Sequence, residues 1–129
     1  MLHSPVLFTP GAGFDGFFDW DFLLPAWAGT KVQPMDFDAV VERHGRFLVF
    51  ETKRDSQEVP RGQARALKAF SQLSPYCTVV VCDKDPEAIT RWLVYHQCVA
   101  REHMGLSADL VAWCRRWFLA ASEQRAWTP

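Results

Sequence analysis

Residues 34–53 read PMDFDAVVERHGRFLVFETK, and this stretch decides the fold. Two runs rich in β-branched and aromatic residues, 35–42 and 46–53, predict two β-strands. Three residues separate the runs, and His44-Gly45 can adopt the positive φ angles that a tight hairpin turn requires. So short a connection predicts an antiparallel hairpin.

The second strand carries charges at one end of an otherwise apolar run. Side chains alternate across a strand, which divides this one into two faces, Phe47, Val49, Glu51 and Lys53 on one and Leu48, Phe50 and Thr52 on the other. Glu51 and Lys53 therefore share a face, where burial is costly unless charged groups have partners or a function. In the first strand Asp36 and Asp38 share a face, although aspartate is depleted in strands.

Carboxylates that converge at a sheet edge provide the oxygen ligands that Mg²⁺ prefers. Such a metal can activate water and neutralise charge on a phosphate, and a neighbouring lysine can act on the attacking water or the transition state. The alternative is that these strand carboxylates and the lysine simply face water.

Outward from the hairpin, the pattern predicts an α/β fold with a mixed sheet flanked by helices. Residues 60–73 predict a helix, and 76–82 predict a strand buried on both faces. Residues 83–90 predict a polar turn, and 90–97 fit either a strand or a helix. A final helix is expected at about 108–124, with Ser107 as its N-cap and with Leu110, Val111, Trp113, Trp117 and Phe118 toward the core.

Length and composition predict one domain spanning 1–129. The 129 residues are 49% hydrophobic and 22% charged, which excludes a disordered tail, a fibre or a long coiled coil. Residues 1–13 predict an irregular arm, and the core is expected at about 14–97. It begins with a helix over 14–24 that ends by Pro25, and 26–34 form a connection or a short strand.

Nothing in the sequence predicts export or membrane insertion. No run of about 18 apolar residues occurs, and the N-terminus lacks the pattern of a secretory signal. The four cysteines form no CxxC pair, so we expect reduced thiols in a cytosolic protein. The spacing of His96, Cys98 and His103 matches no familiar zinc module.

Asp38, the hairpin and Glu51-Thr52-Lys53 together resemble the signature of the PD-(D/E)XK nuclease superfamily. Thirteen positions separate Asp38 from Glu51, an interval usual for that motif. Gln63 lies where many members carry a glutamine, among them recombination exonucleases, junction resolvases and virus-type repair nucleases. The run is also similar to small phage-encoded nuclease-like proteins, and the resemblance covers about residues 14–82.

The resemblance implies a restriction-endonuclease-like core and a Mg²⁺ site in which Mn²⁺ can substitute. Asp38 and Glu51 would bind the metal, Lys53 would be the catalytic lysine, and Gln63 would position a phosphate or a water. The first motif departs from the family, because it reads Pro-Met-Asp-Phe-Asp rather than Pro-Asp. Asp36 is therefore a second candidate ligand. An acid of the first helix could join them, from Asp15, Asp19 and Asp21.

The implied activity is hydrolysis of DNA, as duplex, junction or single strand, with RNA left open. The net charge of −1 excludes a large uniform basic field but not a local one. Arg54, Arg61 and Arg65 follow the motif and are expected to contact phosphates; the alternative is that they are solvated. A homodimer would allow paired cuts.

Two other functions stay open at this point. One is a nuclease-fold phage protein that binds DNA or a host protein without cleaving, and the other is a plain interaction domain. In the phage-encoded case the protein acts in the cytoplasm of its bacterial host.

Overall fold

A computed structural model describes residues 19–32, 34–54 and 59–129. The chain divides into two compact units, Met1–Asp36 and Phe37–Pro129. In the described part of the first unit the regular element is a 3-10 helix, Asp21–Trp27. It contains Pro25, so the prediction that the first helix ends by that residue is wrong. The arm at 1–13 and the helix start at 14–18 lie outside the described residues.

The hairpin is formed by β1 (Ala39–Arg43) and β2 (Arg46–Lys53), which pair antiparallel. His44 and Gly45 have φ angles of 51° and 79°, which confirms the predicted turn. β1 begins later than predicted, after Asp38. The cause is local, because the Asp38 carboxylate accepts the Thr52 amide hydrogen and so replaces a main-chain strand contact.

Three further strands complete one five-stranded mixed sheet in the order β1-β2-β3-β4-β5. Helix α1 (Arg61–Gln72) joins β2 to β3 (Cys77–Asp83), which runs parallel to it. β4 (Arg91–His96) and β5 (Val99–Met104) then add antiparallel. The predicted α/β class, α1 and β3 are confirmed, β4 proves to be a strand, and β5 was not predicted.

Two apolar layers cover the two faces of this sheet. On one face Val49, Val79 and Tyr95 surround Leu67 of α1. On the other, Leu48 and Val80 pack under α2 (Ser107–Ser122), the last helix. Alternation along β2 therefore works as predicted, with Val49 and Leu48 in different layers.

Two details of the last helix differ from the prediction. Ser107 is its first helical residue rather than its N-cap, and the Asp109 side chain accepts the main-chain hydrogen of Leu106. Leu110, Trp113 and Trp117 are buried, whereas Val111 and Phe118 are 67% and 43% exposed. The sheet covers only one stripe of this helix, and these two side chains lie outside it.

No helix in the described ranges is both long and apolar enough to cross a membrane.

Candidate active site

The charged end of β2 pairs in parallel with the end of β3. Glu51 is opposite Val81, and Lys53 is opposite Asp83. Glu51 is only 8% exposed. It lies two residues after Val49 on the same strand, so both side chains point to the sheet face that α1 covers. Burial of a carboxylate at this depth requires a partner.

Asp38 is that partner. Asp38 directly precedes β1, and its main-chain N–H donates to the Phe50 carbonyl at 3.0 Å. A hydrogen bond between the Asp38 and Glu51 carboxyl groups contributes to the pKa shifts of both. Oδ2 of Asp38 also accepts the main-chain N–H of Thr52 at 2.7 Å and its hydroxyl at 2.8 Å. Thr52 thus fixes the Asp38 side chain from the other side.

The pKa values of the two acids are shifted in opposite directions. Burial, followed by the hydrogen bond and charge of Asp38, raises the pKa of Glu51 to about 7, while Lys53 opposes the rise. Burial also acts to raise the pKa of Asp38, but the hydrogen bonds from Thr52, with smaller contributions from Glu51 and Lys84, bring it below its usual value. At neutral pH Asp38 is therefore ionised and Glu51 is about half protonated.

Lys53 extends the site along the same face. It is half-buried, two residues beyond Glu51, and its charge acts on the Glu51 carboxyl. It also lines a small cleft with Val81 and Asp83. The lysine is therefore next to both the acid pair and an open space.

Gln63 lies in the first turn of α1, one turn before buried Leu67. This spacing points Gln63 toward the sheet rather than toward water, and it is half-buried. Helix α1 packs against β3 and β4. The role of Gln63 beside the acid pair stays a prediction.

The three predicted phosphate contacts are exposed. Arg54 directly follows β2, Arg61 begins α1, and Arg65 lies one turn later on that helix. Their contact with phosphates stays a prediction.

The other predicted acids that the structure describes, Asp36, Asp19 and Asp21, belong to the first compact unit, whereas Asp38 and Glu51 belong to the second. Asp15 lies outside the described residues. Asp38 interacts with Glu51, and the choice between Asp38 and Asp36 as metal ligand stays a prediction.

Two contributors to the site were not predicted. Thr52, for which no role was predicted, holds Asp38 through two hydrogen bonds. Lys84 acts on Asp38 electrostatically, and its main-chain N–H bonds to the Lys53 carbonyl at 2.8 Å. Counting the hairpin register outward from the turn would have set Asp38 beside this end of β2 and so pointed to Thr52.

The donor set is compatible with a hard divalent cation. Two adjacent carboxylates that hold a proton between them can exchange that proton for a metal ion, and Mg²⁺ in proteins is commonly held by one or two carboxylates plus water and substrate phosphate. Within the described parts of the chain no cluster of three or more His, Cys, Asp or Glu side chains is placed to bind a metal. Asp38 and Glu51 would thus be its protein carboxylates.

Models of known families, curated proteins and solved structures were compared with this chain, and none matches it.

Proposed function

We propose that this protein is a metal-dependent nuclease that hydrolyses phosphodiester bonds of DNA, with a restriction-endonuclease-like core. The observation that carries the proposal is the hydrogen-bonded pair of Asp38 and Glu51, with Lys53 on the same face. A hairpin, a helix and a parallel strand position these residues. A buried acid pair of this kind destabilises the folded protein at neutral pH, and metal binding is a function that explains why the pair is present.

Asp38 and Glu51 would hold Mg²⁺ or Mn²⁺, which supplies a Lewis acid and lowers the pKa of water. Thr52 keeps the Asp38 carboxylate in place and ionised. Glu51 gives up its proton when the ion binds. Lys53 has three N–H donors and no lone pair while charged, so its contact is with water or a phosphate oxygen. Gln63 orients the same group from α1.

The DNA backbone would approach along the start of α1. Arg54, Arg61 and Arg65 are exposed there, and each can neutralise a phosphate without reading sequence. A phage-encoded enzyme of this kind would act in the cytoplasm of its bacterial host. A homodimer would present two such sites to a duplex or a junction.

The deciding experiment is cleavage of end-labelled duplex, junction and single-stranded DNA with Mg²⁺ or Mn²⁺, using the parent, Glu51→Gln and Glu87→Gln. Glu87 is exposed on a 3-10 turn and controls for the loss of a glutamate elsewhere. We expect cleavage by the parent and by Glu87→Gln but not by Glu51→Gln.

Two results would contradict the proposal. Cleavage that persists in Glu51→Gln would place the activity in another site or in a contaminant. DNA binding without cleavage by the parent, in any of these metals, would favour the alternative of a nuclease-fold protein that binds DNA without cutting it.

A further inference from the structure

A second concavity lies at the other end of the sheet. Its volume is about 370 Å³, and its lining includes Arg46, Tyr76, His96, Trp117, Arg125 and Trp127. This volume is in the range of pockets for small organic ligands and exceeds what a single inorganic ion fills. No aspartate or glutamate is among its described lining residues.

Arg46 carries a charge that no described carboxylate offsets. It is half-buried at the start of β2, it donates one hydrogen bond to the Ala121 carbonyl at 3.2 Å, and its guanidinium lies 4.9 Å from the centre of the Tyr76 ring. The ion pairs within the described residues involve Arg91 and Arg125, not Arg46. A guanidinium has five N–H donors, so most of those on Arg46 are free for an anion.

The pocket also offers aromatic surface. The Trp127 ring is half-buried and packs edge-on against Trp113, at 5.1 Å between ring centres. Its Nε1 has almost no accessible surface, so the ring rather than the N–H is what Trp127 offers to a ligand. Gln97 and Gln124 add amide groups that can both donate and accept.

We propose that this pocket binds a nucleotide, with the phosphate at Arg46 and the base against Trp127. A flat ring that carries a phosphate matches an unpaired guanidinium, an aromatic wall and adaptable amides in one cavity. The nucleotide has two possible sources, a free mononucleotide or the phosphorylated end of a nucleic-acid strand.

This pocket is separate from the acid pair. Arg46 and Glu51 lie at opposite ends of β2, about 17 Å apart along the strand. Thr78 directly precedes Val79 of the α1 layer, and adjacent residues of a strand point to opposite faces. Thr78 and its cross-strand partner His96 therefore lie on the face that α2 covers. The proposal therefore holds whether or not the acid pair cleaves DNA.

Calorimetric titration with AMP tests the proposal, with adenosine and inorganic phosphate as the two halves of the ligand. The matched variants are Arg46→Gln and Arg43→Gln. Arg43 is the direct cross-strand neighbour of Arg46, but it is not among the pocket's lining residues. We expect the parent to bind AMP at least tenfold more tightly than either half, Arg46→Gln to weaken AMP binding at least tenfold, and Arg43→Gln to change it less than twofold.

Trp127→Leu gives a second test that does not depend on Arg46→Gln folding. It removes the aromatic ring but keeps an apolar side chain, and we expect AMP binding to weaken severalfold. Adenylate oligonucleotides with and without a 5′-phosphate, in Ca²⁺, identify the source. Binding that needs the 5′-phosphate and Arg46 indicates a strand end, and binding of AMP alone indicates a free nucleotide.

Three results would overturn the proposal. They are no binding of AMP by the parent at millimolar concentration, equal weakening by Arg43→Gln and Arg46→Gln, or binding of phosphate as tight as that of AMP. In each case the pocket would not be a nucleotide site.

Discussion

At its carboxyl end, β2 brings Glu51 and Lys53 to Asp38, so that two acids and a base occupy one small space. At its amino end the same strand begins with Arg46, whose charge faces a pocket without a described acid. Between them Leu48 and Val49 are 2% and 1% exposed. One strand thus carries an excess of acid at one end and an unpaired cation at the other.

The difference shows how a buried strand accommodates charge. At the carboxyl end the protein neutralises part of the charge internally, since Glu51 is about half protonated at neutral pH. At the amino end Arg46 is satisfied by a carbonyl and an aromatic face, which neutralise nothing. The first arrangement suits a cation that displaces the proton, and the second suits an anion that completes the pair.

The largest expected effect is on catalysis at the carboxyl end. Lys53→Ala should lower the cleavage rate on the order of 10² to 10³-fold, because the lysine contacts charge that develops in the transition state. Mg²⁺ or Mn²⁺ binding, measured by calorimetry, should remain largely intact. Lys68→Ala, an exposed lysine of α1, is the control. An unchanged rate in Lys53→Ala would remove the residue from the mechanism.

The next effect is on stability against pH. Because the pKa of Glu51 is about 7 in the folded protein, against 4.5 for a free glutamate side chain, the folded state keeps a proton that the unfolded state loses between these pH values. Stability from this group is full below pH 4.5 and declines as pH rises to 7, by on the order of 3 kcal/mol. Glu51→Gln should abolish this decline and be more stable than the parent above pH 7.

Urea unfolding of both proteins from pH 4.5 to 8 measures this effect. Burial lowers the pKa of His96 and of His103 from 6.5, so these two groups add stability as pH rises toward 6.5 and add no more above it. The difference between parent and Glu51→Gln isolates the glutamate from them. A difference that does not vary with pH would show that Glu51 titrates normally.

A moderate effect is expected from the exposed arginines beside the acid pair. A site that neutralises about three phosphates of duplex DNA should show a log-log salt slope near −2.7. Arg61→Ala combined with Arg65→Ala should flatten the slope by about two units, equally for two unrelated sequences, while thermal stability hardly changes. Affinity measured against salt in Ca²⁺ checks this. Equal slopes for parent and double variant would place the DNA elsewhere.

The smallest effect concerns the support of the acid pair. Thr52→Val keeps the shape of the side chain but removes the hydroxyl that donates to Asp38. We expect a loss of about 1 kcal/mol in unfolding free energy and a higher pKa for Asp38, read by NMR titration of its carboxyl carbon. Thr90→Val, at an exposed threonine, should change neither quantity.

The hairpin and the buried core could be predicted from local chemistry. His44-Gly45 marks the turn, and the apolar run 76–82 predicts a central strand because such a run is stable only when both faces are covered. β5 could not be predicted in this way. Its turn, Gln97-Cys98, has φ angles of 48° and 67°, yet neither residue type is typical of positive φ. The strand itself is mostly exposed and polar.

The sequence predicts which residues form the candidate site better than it predicts their geometry. The motif singles out Asp38, Glu51 and Lys53, and hairpin pairing sets the first two at one edge. The proton shared between the acids depends on how deeply Glu51 is covered, and the sequence does not carry that quantity. Val111 and Phe118 illustrate the same limit, because apolar spacing along a helix does not reveal how wide a stripe its neighbours cover.

The exposure of β1 has a consequence for how this site is held together. All five residues of β1 are exposed, and in the sheet it pairs with β2 alone. Its far end is fastened, since Arg43 donates to the Ser122 hydroxyl and lies against the Phe118 ring. The Asp38 end is held by hydrogen bonds to Thr52 and Phe50, so a local opening that breaks these bonds separates the acids without unfolding the core. Site assembly is then a folding equilibrium of one strand, and a divalent ion that binds both carboxylates would slow amide hydrogen exchange along β1 first.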